Sequence, residues 1–531
     1  MQVPLLVDDF LTRAARNYPH KTAIIDGAQR FSYADYQRRV NQLAHALTLR
    51  GIRQGDRVCI LSPNSHFFLE SFYATSQIGA VLVPLNYRLV PEDHRYIIDH
   101  AGVKLLLVDA EYTAVIDAIR SQLPTVQHWI SASDSAAAAD SAGAAPGWTD
   151  WETMIGAMPP YAAHSPVRDE NDLVSINYTS GTTARPKGVM LTHRNCYINA
   201  YGLIAQLRVA HEDVALWTLP MFHCNGWGNV YALTGMGGTH VVLRSVDAVR
   251  IFELIAQEKV TLACMAPTVL RVILDYPHRD RHVITTRPRL VLAGAPPPAA
   301  FVERLEKELG WQFYEIYGLT ETAPLLTSSQ VDFGCAQDDY ARRARAGIPA
   351  LGVEIQLLDD EGKLVPRDGA SVGEVCARSN VVFAGYWLQP EETARAIHDG
   401  YFHTGDLAVW DELYNIHIVD RKKDVIISGG ENISSPDIEA TLYRHPAVLE
   451  CAVIGVPHEK WGETPKALIV LRAGHAANEA VIIAFCREHM AHFKCPTSVE
   501  FLESLPRTVT GKLQKFKLRE VYWRGRRRVN G

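Results

Sequence analysis

The sequence lacks the features that would place it in a secreted, membrane-spanning or zinc-binding class. Its nine cysteines are scattered singly and form no CxxC pair, which argues against a disulfide framework and a zinc site and favours a reducing compartment. It has no uninterrupted apolar run of about 18 residues, the length that spans a bilayer. The segment Met1–Asp9 has no basic region before its apolar residues, unlike a signal peptide. We therefore expect a cytoplasmic protein without a transmembrane segment.

The chain also lacks an excess of positive charge. Its 53 Lys and Arg residues against 59 Asp and Glu residues give a net charge of −6, so we expect no general binding to nucleic acid. The basic run Trp523–Arg528 is typical of a solvated chain end. At 531 residues the sequence is too long for one compact core, and it therefore predicts two or more domains.

Short apolar runs alternate with longer amphipathic stretches along most of the chain, which is typical of a layered α/β protein. The Ala- and Ser-rich segment 131–146 interrupts this pattern and indicates a surface loop. A domain boundary is predicted near the charged run Asp420–Asp424, which leaves enough chain for a small α+β domain. In that domain Ser435 as N-cap and Pro436 at the first helical position predict a helix, followed by a strand over Glu450–Val456.

The stretch 178-YTSGTTARPKGV-189 follows a strand-like run, Leu173–Ile176. It is not the GxxxxGK[ST] loop of nucleoside triphosphatases, because its glycine follows the lysine, no Ser or Thr comes next, and a proline intrudes. Its hydroxyl groups and the backbone N–H groups around Gly181 nevertheless suit a polyphosphate. Lys187 adds a movable positive charge. We interpret this stretch as a phosphate-binding loop.

This loop resembles the signature of the adenylate-forming superfamily of acyl-CoA synthetases, adenylation domains and luciferases. The resemblance continues, in the family's order and spacing, through 220-PMFHCNGWG-228, 293-AGAPPP-298, 314-YEIYGLTETAP-324, 403-HTGDLAVW-410, 420-DRKKDVIISGGENISSP-436 and 505-LPRTVTGKLQK-515. The sequence looks most like the fatty-acyl and methylmercaptopropionate-type CoA ligases. An amino-acid-activating domain is disfavoured, because His223 stands where such domains have an aspartate.

The resemblance implies an ATP-dependent acyl-CoA ligase. Such an enzyme activates a carboxylic acid as acyl-AMP with release of pyrophosphate and then transfers the acyl group to coenzyme A, with ATP, Mg²⁺ and coenzyme A as cofactors or co-substrates. It also implies a large multi-sheet N-terminal domain, here residues 1–420, and a small mobile α+β lid, here residues 421–531. Homodimers are common in this family, so a homodimer is one expected assembly.

The same resemblance assigns the nucleotide site. The residues expected to hold the phosphates are Thr179, Ser180, Gly181, Thr182, Thr183 and Lys187. Those expected beside the adenine are Tyr317, which would stack on it, and the opposite strip Gly294, Ala295 and Pro296. Asp406 matches the acid that binds both ribose hydroxyls, and Arg421 matches the residue that contacts ribose and phosphate.

The resemblance also assigns catalytic and hinge residues. Glu321 matches the magnesium carboxylate, and Thr320 matches a hydroxyl at the α-phosphate. Lys512 matches the lysine that reaches the α-phosphate and the carboxylate during adenylation. The hinge of the lid matches Lys423, and the glycines expected along the pantetheine tunnel are Gly429 and Gly430.

The predicted acyl pocket comprises His223, Trp227, Gly294 and Ile316. Many relatives have glycine at the position of Ile316, so its side chain predicts a short- to medium-chain or compactly branched acid. Trp227 matches the gate of long-chain synthetases, although an indole that covers a strand is the other interpretation. His223 is expected at the acyl-phosphate end of the pocket and is counted among the catalytic residues, although a structural histidine is the other interpretation.

Three alternatives remain open at this stage. The protein could load a carrier protein instead of coenzyme A, or act on long-chain fatty acids, or be a catalytically silent relative. Since the matched polar positions, including Glu321 and Lys512, are all present, the ligase is the leading hypothesis.

Overall fold

The computed structural model describes residues 1–133, 146–179, 185–294, 297–329, 336, 338–422, 424–428, 431–507 and 513–524. Within these ranges the strands are β1 (Thr22–Asp26), β2 (Gln29–Ser32), β3 (Arg57–Leu61), β4 (Val81–Leu85), β5 (Val103–Asp109), β6 (His128–Ala132), β7 (Thr149–Asp150), β8 (Leu173–Thr179), β9 (Lys187–Thr192), β10 (Val214–Trp217), β11 (Thr239–Val242), β12 (Leu262–Met265), β13 (Arg289–Leu292), β14 (Gln312–Gly318), β15 (Leu325–Ser328), β16 (Ile348–Pro349), β17 (Val353–Leu358), β18 (Gly373–Ser379), β19 (Gly385–Tyr386), β20 (Ile397–His398), β21 (Tyr401–Trp410), β22 (Ile416–Arg421), β23 (Ile426–Ser428), β24 (Glu431–Ile433), β25 (Val448–His458), β26 (Gly462–Leu471) and β27 (Ser498–Phe501).

The α-helices of the same ranges are α1 (Asp8–Asn17), α2 (Tyr33–Leu49), α3 (His66–Gln77), α4 (Pro91–Ala101), α5 (Thr113–Asp117), α6 (Trp151–Gly156), α7 (His193–Leu207), α8 (Cys224–Trp227), α9 (Asn229–Met236), α10 (Ala248–Gln257), α11 (Pro267–Leu274), α12 (Ala299–Leu309), α13 (Tyr340–Arg343), α14 (Pro390–Ala396), α15 (Ser435–Leu442), α16 (Glu479–His489) and α17 (Lys515–Trp523). The local sequence explains why several of these helices begin where they do. In α2, for example, Ser32 and Asp35 form a reciprocal capping box.

Two large sheets lie in the N-terminal part of the described chain. One has nine strands in the order β16-β15-β14-β13-β12-β10-β11-β1-β2, and the other has eight in the order β19-β9-β8-β4-β3-β5-β6-β7. Strands β12, β13 and β14 are parallel neighbours. Their carboxyl ends therefore meet at one edge of the sheet, which is where ligands bind in open α/β sheets.

Two smaller sheets follow along the described chain. In one, the order is β17-β18-β21-β20, with β22 paired to β21; in the other it is β24-β23-β26-β25, with β27 paired to β26. Helices α15 and α17 pack on β25, and α16 packs on β27. The predicted α/β class, with a large multi-sheet N-terminal part and a small α+β C-terminal part, is confirmed.

The strands predicted within the described ranges are confirmed, since β8 contains the run before the loop and β25 contains Glu450–Val456. The predicted N-cap of α15 is wrong by one residue. Ser434 is the N-cap, and its hydroxyl accepts a hydrogen bond from the Asp437 N–H at 3.3 Å. Ser435 instead donates its hydroxyl and its N–H to the Asp420 carboxylate, at 2.5 and 3.1 Å. The contact of Ser435 with Asp420, which is distant in sequence, therefore determines which of the two serines caps the helix.

Most of the predicted surface loop 131–146 lies outside the described residues. The eight cysteines in the described ranges are unpaired and buried. In those ranges we find no helix long and apolar enough to cross a membrane.

Candidate active site

Several of the predicted site residues that the structure describes lie at or just after the ends of β8 and β14. Tyr317 is the next-to-last residue of β14, and a short 3₁₀ helix, Thr320–Thr322, follows that strand. Thr320 is buried and Glu321 is partly exposed. Thr179 ends β8, which pairs in antiparallel fashion with β9, so that Thr179 lies opposite Lys187.

Tyr317, Asp406 and Arg421 form one hydrogen-bonded cluster. The Tyr317 hydroxyl donates to Asp406 Oδ2 at 2.9 Å, and Arg421 Nε lies 3.1 Å from Asp406 Oδ1. The register of β21 on β22 places Asp406 directly opposite Arg421. Burial and the adjacent Asp406 raise the pKa of Tyr317, and the same carboxylate raises the pKa of Arg421. The cluster thus combines an aromatic face, a buried anion and a guanidinium, which suit a nucleoside and its phosphate.

A second cluster joins Glu321 to the strand that follows the phosphate loop. The Tyr386 hydroxyl donates to Glu321 Oε1 at 2.9 Å, and the Lys187 ammonium lies 5.0 Å from the centre of the Tyr386 ring. Lys187 Nζ also pairs with Glu392 Oε2 at 2.5 Å. Burial and the neighbouring Glu321 raise the pKa of the Tyr386 phenol, which therefore stays protonated and acts as a donor.

This second cluster follows from strand pairing. β19 pairs with β9, which places Tyr386 opposite Val189, and the Trp387 N–H donates to the Gly188 carbonyl at 2.7 Å. Tyr386 and Glu392 were missed at the sequence level. Neither lies in a stretch with a chemical signature, and only the pairing of β19 with β9 brings them to Lys187.

The donors near Glu321 fit a magnesium ion held mainly by phosphates. One oxygen of the Glu321 carboxylate accepts the Tyr386 hydroxyl, and a carboxylate can accept about four hydrogen bonds or metal contacts in all. Magnesium prefers oxygen ligands and is usually held by one or two carboxylates together with substrate phosphates and water. Among the described residues there is no group of three or more His, Cys, Asp or Glu side chains arranged as a complete metal cage.

Several predicted positions lie outside the described residues: Ser180, Gly181, Thr182, Thr183, Ala295, Pro296, Lys423, Gly429, Gly430 and Lys512. Gly294, which adjoins that gap, has φ +92°, a conformation that favours glycine. An ideal Cβ built on Gly294 would meet no described atom within 4 Å.

The predicted acyl side is built on Cys224–Trp227, given above as α8, whose backbone angles are those of a left-handed turn and not of a right-handed α-helix. From Cys224 to Gly228 the φ angles are 46°, 50°, 57°, 56° and 80°. Each non-glycine residue in this conformation costs roughly 1–2 kcal/mol, and such strain is concentrated at functional sites. Glycine is also required at position 226 because there is no room for a side chain: a Cβ on Gly226 would lie 2.4 Å from the Trp217 ring.

Buried polar side chains hold the turn in place. Asn225 Nδ2 donates to the Ser175 hydroxyl at 2.8 Å, and Asn225 Oδ1 accepts from Asn177 Nδ2 at 3.1 Å. Ser175 in turn donates to Asn177 Oδ1 at 2.8 Å. Ser175 and Asn177 belong to β8, the strand that leads into the phosphate loop. The network therefore ties the phosphate loop to the predicted acyl side.

The residues predicted for the acyl pocket differ in how much of their surface is exposed. Trp227 and Ile316 are 5% and 2% exposed and belong to one core cluster. His223 is partly exposed and immediately precedes the turn. Cys224 Sγ lies 3.9 Å from the Thr320 carbonyl oxygen, which joins the turn to the segment that bears Glu321.

The chain is similar to known proteins over almost its full length. Residues 11–387 match the family described as AMP-binding enzyme, and residues 437–512 match the AMP-binding enzyme C-terminal domain. A 4-hydroxybutyrate–CoA ligase of Metallosphaera sedula is 38% identical, over 97% of this chain and 94% of that protein. A peroxisomal butyrate–CoA ligase of Arabidopsis thaliana is 36% identical, over 98% and 93%. The crystal structure of an anthranilate CoA ligase with anthranoyl-AMP aligns with a TM-score of 0.89 at 28% identity, over 98% of both chains.

Proposed function

Because this chain belongs to the AMP-binding enzyme family, we propose that it joins a short- to medium-chain or compactly branched carboxylic acid to coenzyme A. Members of this group are acid–thiol ligases, which form acyl-AMP from the acid and ATP, release pyrophosphate, and pass the acyl group to coenzyme A. The chain is accordingly an ATP-dependent acyl-CoA ligase. The acid and the roles of individual residues are the proposed part.

The observation that best supports the proposed roles of individual residues is the hydrogen-bonded cluster of Tyr317, Asp406 and Arg421. In the proposed site the adenine stacks on Tyr317, and both ribose hydroxyls donate to Asp406. Arg421 lies where it can neutralise charge on the ribose side of the phosphate. The segment Thr320–Glu321 follows β14 by only a few residues, so the α-phosphate would lie between it and the nucleoside.

Adenylation places negative charge on the α-phosphate as the carboxylate attacks, so cations and donors are needed at that point. We assign the β- and γ-phosphates to the loop 179–183 and to Lys187, which would exchange its pairing with Glu392 for the phosphates. Thr320 and Lys512 are assigned to the α-phosphate, and His223 to the acyl-phosphate end. Mg²⁺ would be held by Glu321 and would neutralise charge on the phosphate oxygens.

Thioester formation requires Lys512 to leave and coenzyme A to enter. We propose that residues 421–531 act as a lid that turns about Lys423, and that residues 1–420 form the body. In this arrangement the Gly429–Gly430 segment borders the pantetheine tunnel, where glycine allows the closest backbone approach.

The proposed acid is small because Ile316 fills the site of a smaller residue in many relatives. Its side chain is 2% exposed and lies one residue before the stacking Tyr317. A packed core does not yield space for additional methylene groups without cost, typically about 1–3 kcal/mol. A long acyl chain would have to displace this side chain.

Replacing Ile316 with glycine is expected to shift the preference toward longer acids. The ratio of kcat/KM for hexadecanoate to that for butanoate should rise by at least about tenfold, since a single methylene group in an apolar pocket is worth roughly that much. Ile316→Val, which removes one methyl group, should change the ratio far less. An unchanged ratio in a glycine variant that remains folded would show that Ile316 does not limit the pocket.

Pyrophosphate release, measured with and without coenzyme A, tests the whole proposal. With ATP, Mg²⁺ and coenzyme A we expect thioester, detected by mass spectrometry, from straight-chain acids between butanoate and decanoate or from small branched acids. Acyl-AMP that accumulates without any thioester would instead favour an enzyme that loads a carrier protein. Thioester from hexadecanoate alone would leave the ligase function intact and contradict the small pocket.

A cytosolic location is also proposed, since the eight described cysteines are unpaired. A relative described above is peroxisomal. Fractionation of the source cells distinguishes the two locations, and light scattering during gel filtration tests for the homodimer.

A further inference from the structure

Arg271 of α11 connects the proposed body of the enzyme to the proposed lid. Its Nη1 donates to the Leu449 carbonyl at 2.9 Å and lies 3.4 Å from Glu450 Oε1. Leu449 and Glu450 stand at the start of β25, which belongs to residues 421–531. Arg271 therefore joins the two parts of the chain by two polar contacts.

Glu450 is shared between two arginines. Its Oε1 faces Arg271, and its Oε2 lies 3.2 Å from Arg507 Nη2. The side chains of Arg271, Glu450 and Arg507 are 23%, 23% and 26% exposed, so solvent screens these charges less than it screens fully exposed pairs. One carboxylate thus compensates two positive charges, and without it the two guanidinium groups would oppose each other's approach. We call these three residues the interdomain bridge.

The interdomain bridge holds the lid on the side of the nucleotide site. α11 begins two residues after β12 ends, at the edge where the carboxyl ends of β12, β13 and β14 meet and where β14 bears Tyr317. Arg271 is the fifth residue of α11, about 6 Å from its start at about 1.5 Å per residue. On the lid, Arg507 precedes Lys512 by five residues. The bridge therefore joins the nucleotide edge to the part of the lid that leads to the proposed adenylation lysine.

An aromatic contact on the same side supports this orientation of the lid. Phe301 of α12, the helix that follows β13, lies 6.3 Å from Tyr443, measured between ring centres. Burial raises the pKa of Tyr443, and the positive charge of Arg507 opposes part of that rise, so Tyr443 lies near the interdomain bridge. Two successive helices of the body, α11 and α12, thus contact the lid, one through charged groups and the other through aromatic rings.

We propose that Arg271 is a positioning residue for adenylation: through Glu450 and Arg507 it holds the lid in the orientation that forms acyl-AMP. This inference rests on the proposed function, in which one lid serves the two half-reactions in two orientations. A partly exposed ion pair suits a contact that breaks in every turnover, because such pairs contribute little free energy. Asp275 of the same helix lies 3.7 Å from Arg271 Nε, so the guanidinium keeps a partner when the lid leaves.

Separate measurement of the two half-reactions in the full-length enzyme tests the inference, with the acid that the native enzyme uses fastest. In Arg271→Ala, the rate of acyl-AMP formation at saturating ATP should fall about 3- to 10-fold, the range for a partly exposed charged pair. Transfer from preformed acyl-AMP to coenzyme A should keep its native rate or become faster, since that step requires the contact to be broken. Glu450→Gln, in a different element, should also slow acyl-AMP formation, because it removes the charge between the two arginines.

Arg279→Ala is the matched control. Arg279 is 25% exposed and pairs with Glu308 at 2.7 Å, within the body alone, so its loss should leave both half-reactions within about twofold of native. Arg271→Lys keeps the charge and should recover part of the lost rate. Raising NaCl from about 50 to about 500 mM screens the ion pairs, so the ratio of native to Arg271→Ala rates of acyl-AMP formation should shrink. A purely structural role for Arg271 would not make that ratio depend on salt.

The outcomes separate this inference from the proposed function. Equal slowing of both half-reactions in Arg271→Ala and Glu450→Gln, or a change of less than about twofold in acyl-AMP formation, would show that the inference is wrong while the ligase stands. A defect that does not depend on salt would also contradict it. If the native enzyme forms neither acyl-AMP nor thioester from any acid tested, the proposed function falls, and the inference falls with it.

Discussion

Replacing Asp406 with alanine is expected to lower kcat/KM for ATP by about 10²- to 10³-fold, chiefly through a higher KM. In the proposed site the carboxylate accepts both ribose hydroxyls, and hydrogen bonds to a charged group contribute about 1.5–3 kcal/mol each. The substitution also removes the acceptor of the Tyr317 hydroxyl and the counter-ion of Arg421. Pyrophosphate release at increasing ATP concentration measures the effect.

Two further variants show whether this loss is specific to the nucleotide. Asp406→Asn keeps the size of the side chain but offers one acceptor oxygen instead of two, so its KM for ATP should lie between those of the native enzyme and the alanine variant. Asp399→Ala removes a side chain that is 92% exposed on a neighbouring strand connection, and it should leave the kinetics unchanged. A folded alanine variant whose KM for ATP stays within about threefold of native would remove Asp406 from the nucleotide site.

The cluster of Tyr317, Asp406 and Arg421 could be predicted from the sequence because these three residues lie in motifs that resemble those of the family. Tyr317, Asp406 and Arg421 are far apart along the chain, yet each was assigned to the same ligand, and the structure joins them by hydrogen bonds. The register of β21 on β22 gives the physical reason, since it pairs Asp406 with Arg421. The roles of these residues stay predictions until the kinetics are measured.

The acyl side could be predicted only in part. Asn225, Gly226 and Gly228 are residue types that tolerate left-handed conformations, but no turn was predicted here from the sequence. The left-handed conformation of Trp227 has no sequence signal, because bulky residues usually avoid it. The Asn225 network ties the same turn to β8, and that network joins positions about 50 residues apart. Such long-range polar contacts leave no periodic signal in a sequence.

Replacing Lys515 with methionine is expected to destabilise the C-terminal part of the chain by roughly 3 kcal/mol, the lower end for removing one partner of a buried ion pair. Lys515 Nζ lies 2.8 Å from Glu439 Oε1, and the two side chains are 13% and 17% exposed. Burial lowers the pKa of Lys515, but Glu439 and Asp420 outweigh it and raise that pKa above its ordinary value. Hydrogen exchange of β25 and β26 should accelerate by about 100-fold, which corresponds to the same free energy.

The dependence of this defect on pH distinguishes a lost charge from lost packing. Burial raises the pKa of Glu439 and of Asp420, so these carboxylates favour the folded state while protonated and oppose it as the pH rises through their folded-state pKa values. Without Lys515 these carboxylates keep hydrogen bonds, such as those from Ser435 to Asp420 and from the Val453 N–H to Glu439, but lose their paired cation, so the defect should grow with pH. Lys517→Met, an exposed position in the same helix, should show neither effect.

Because Lys515 follows Lys512 by three residues, the buried pair would also anchor the segment that bears the proposed adenylation lysine. Slower acyl-AMP formation in Lys515→Met, with normal acyl transfer from preformed acyl-AMP to coenzyme A, is therefore expected; equal slowing of both steps would contradict an anchoring role specific to adenylation.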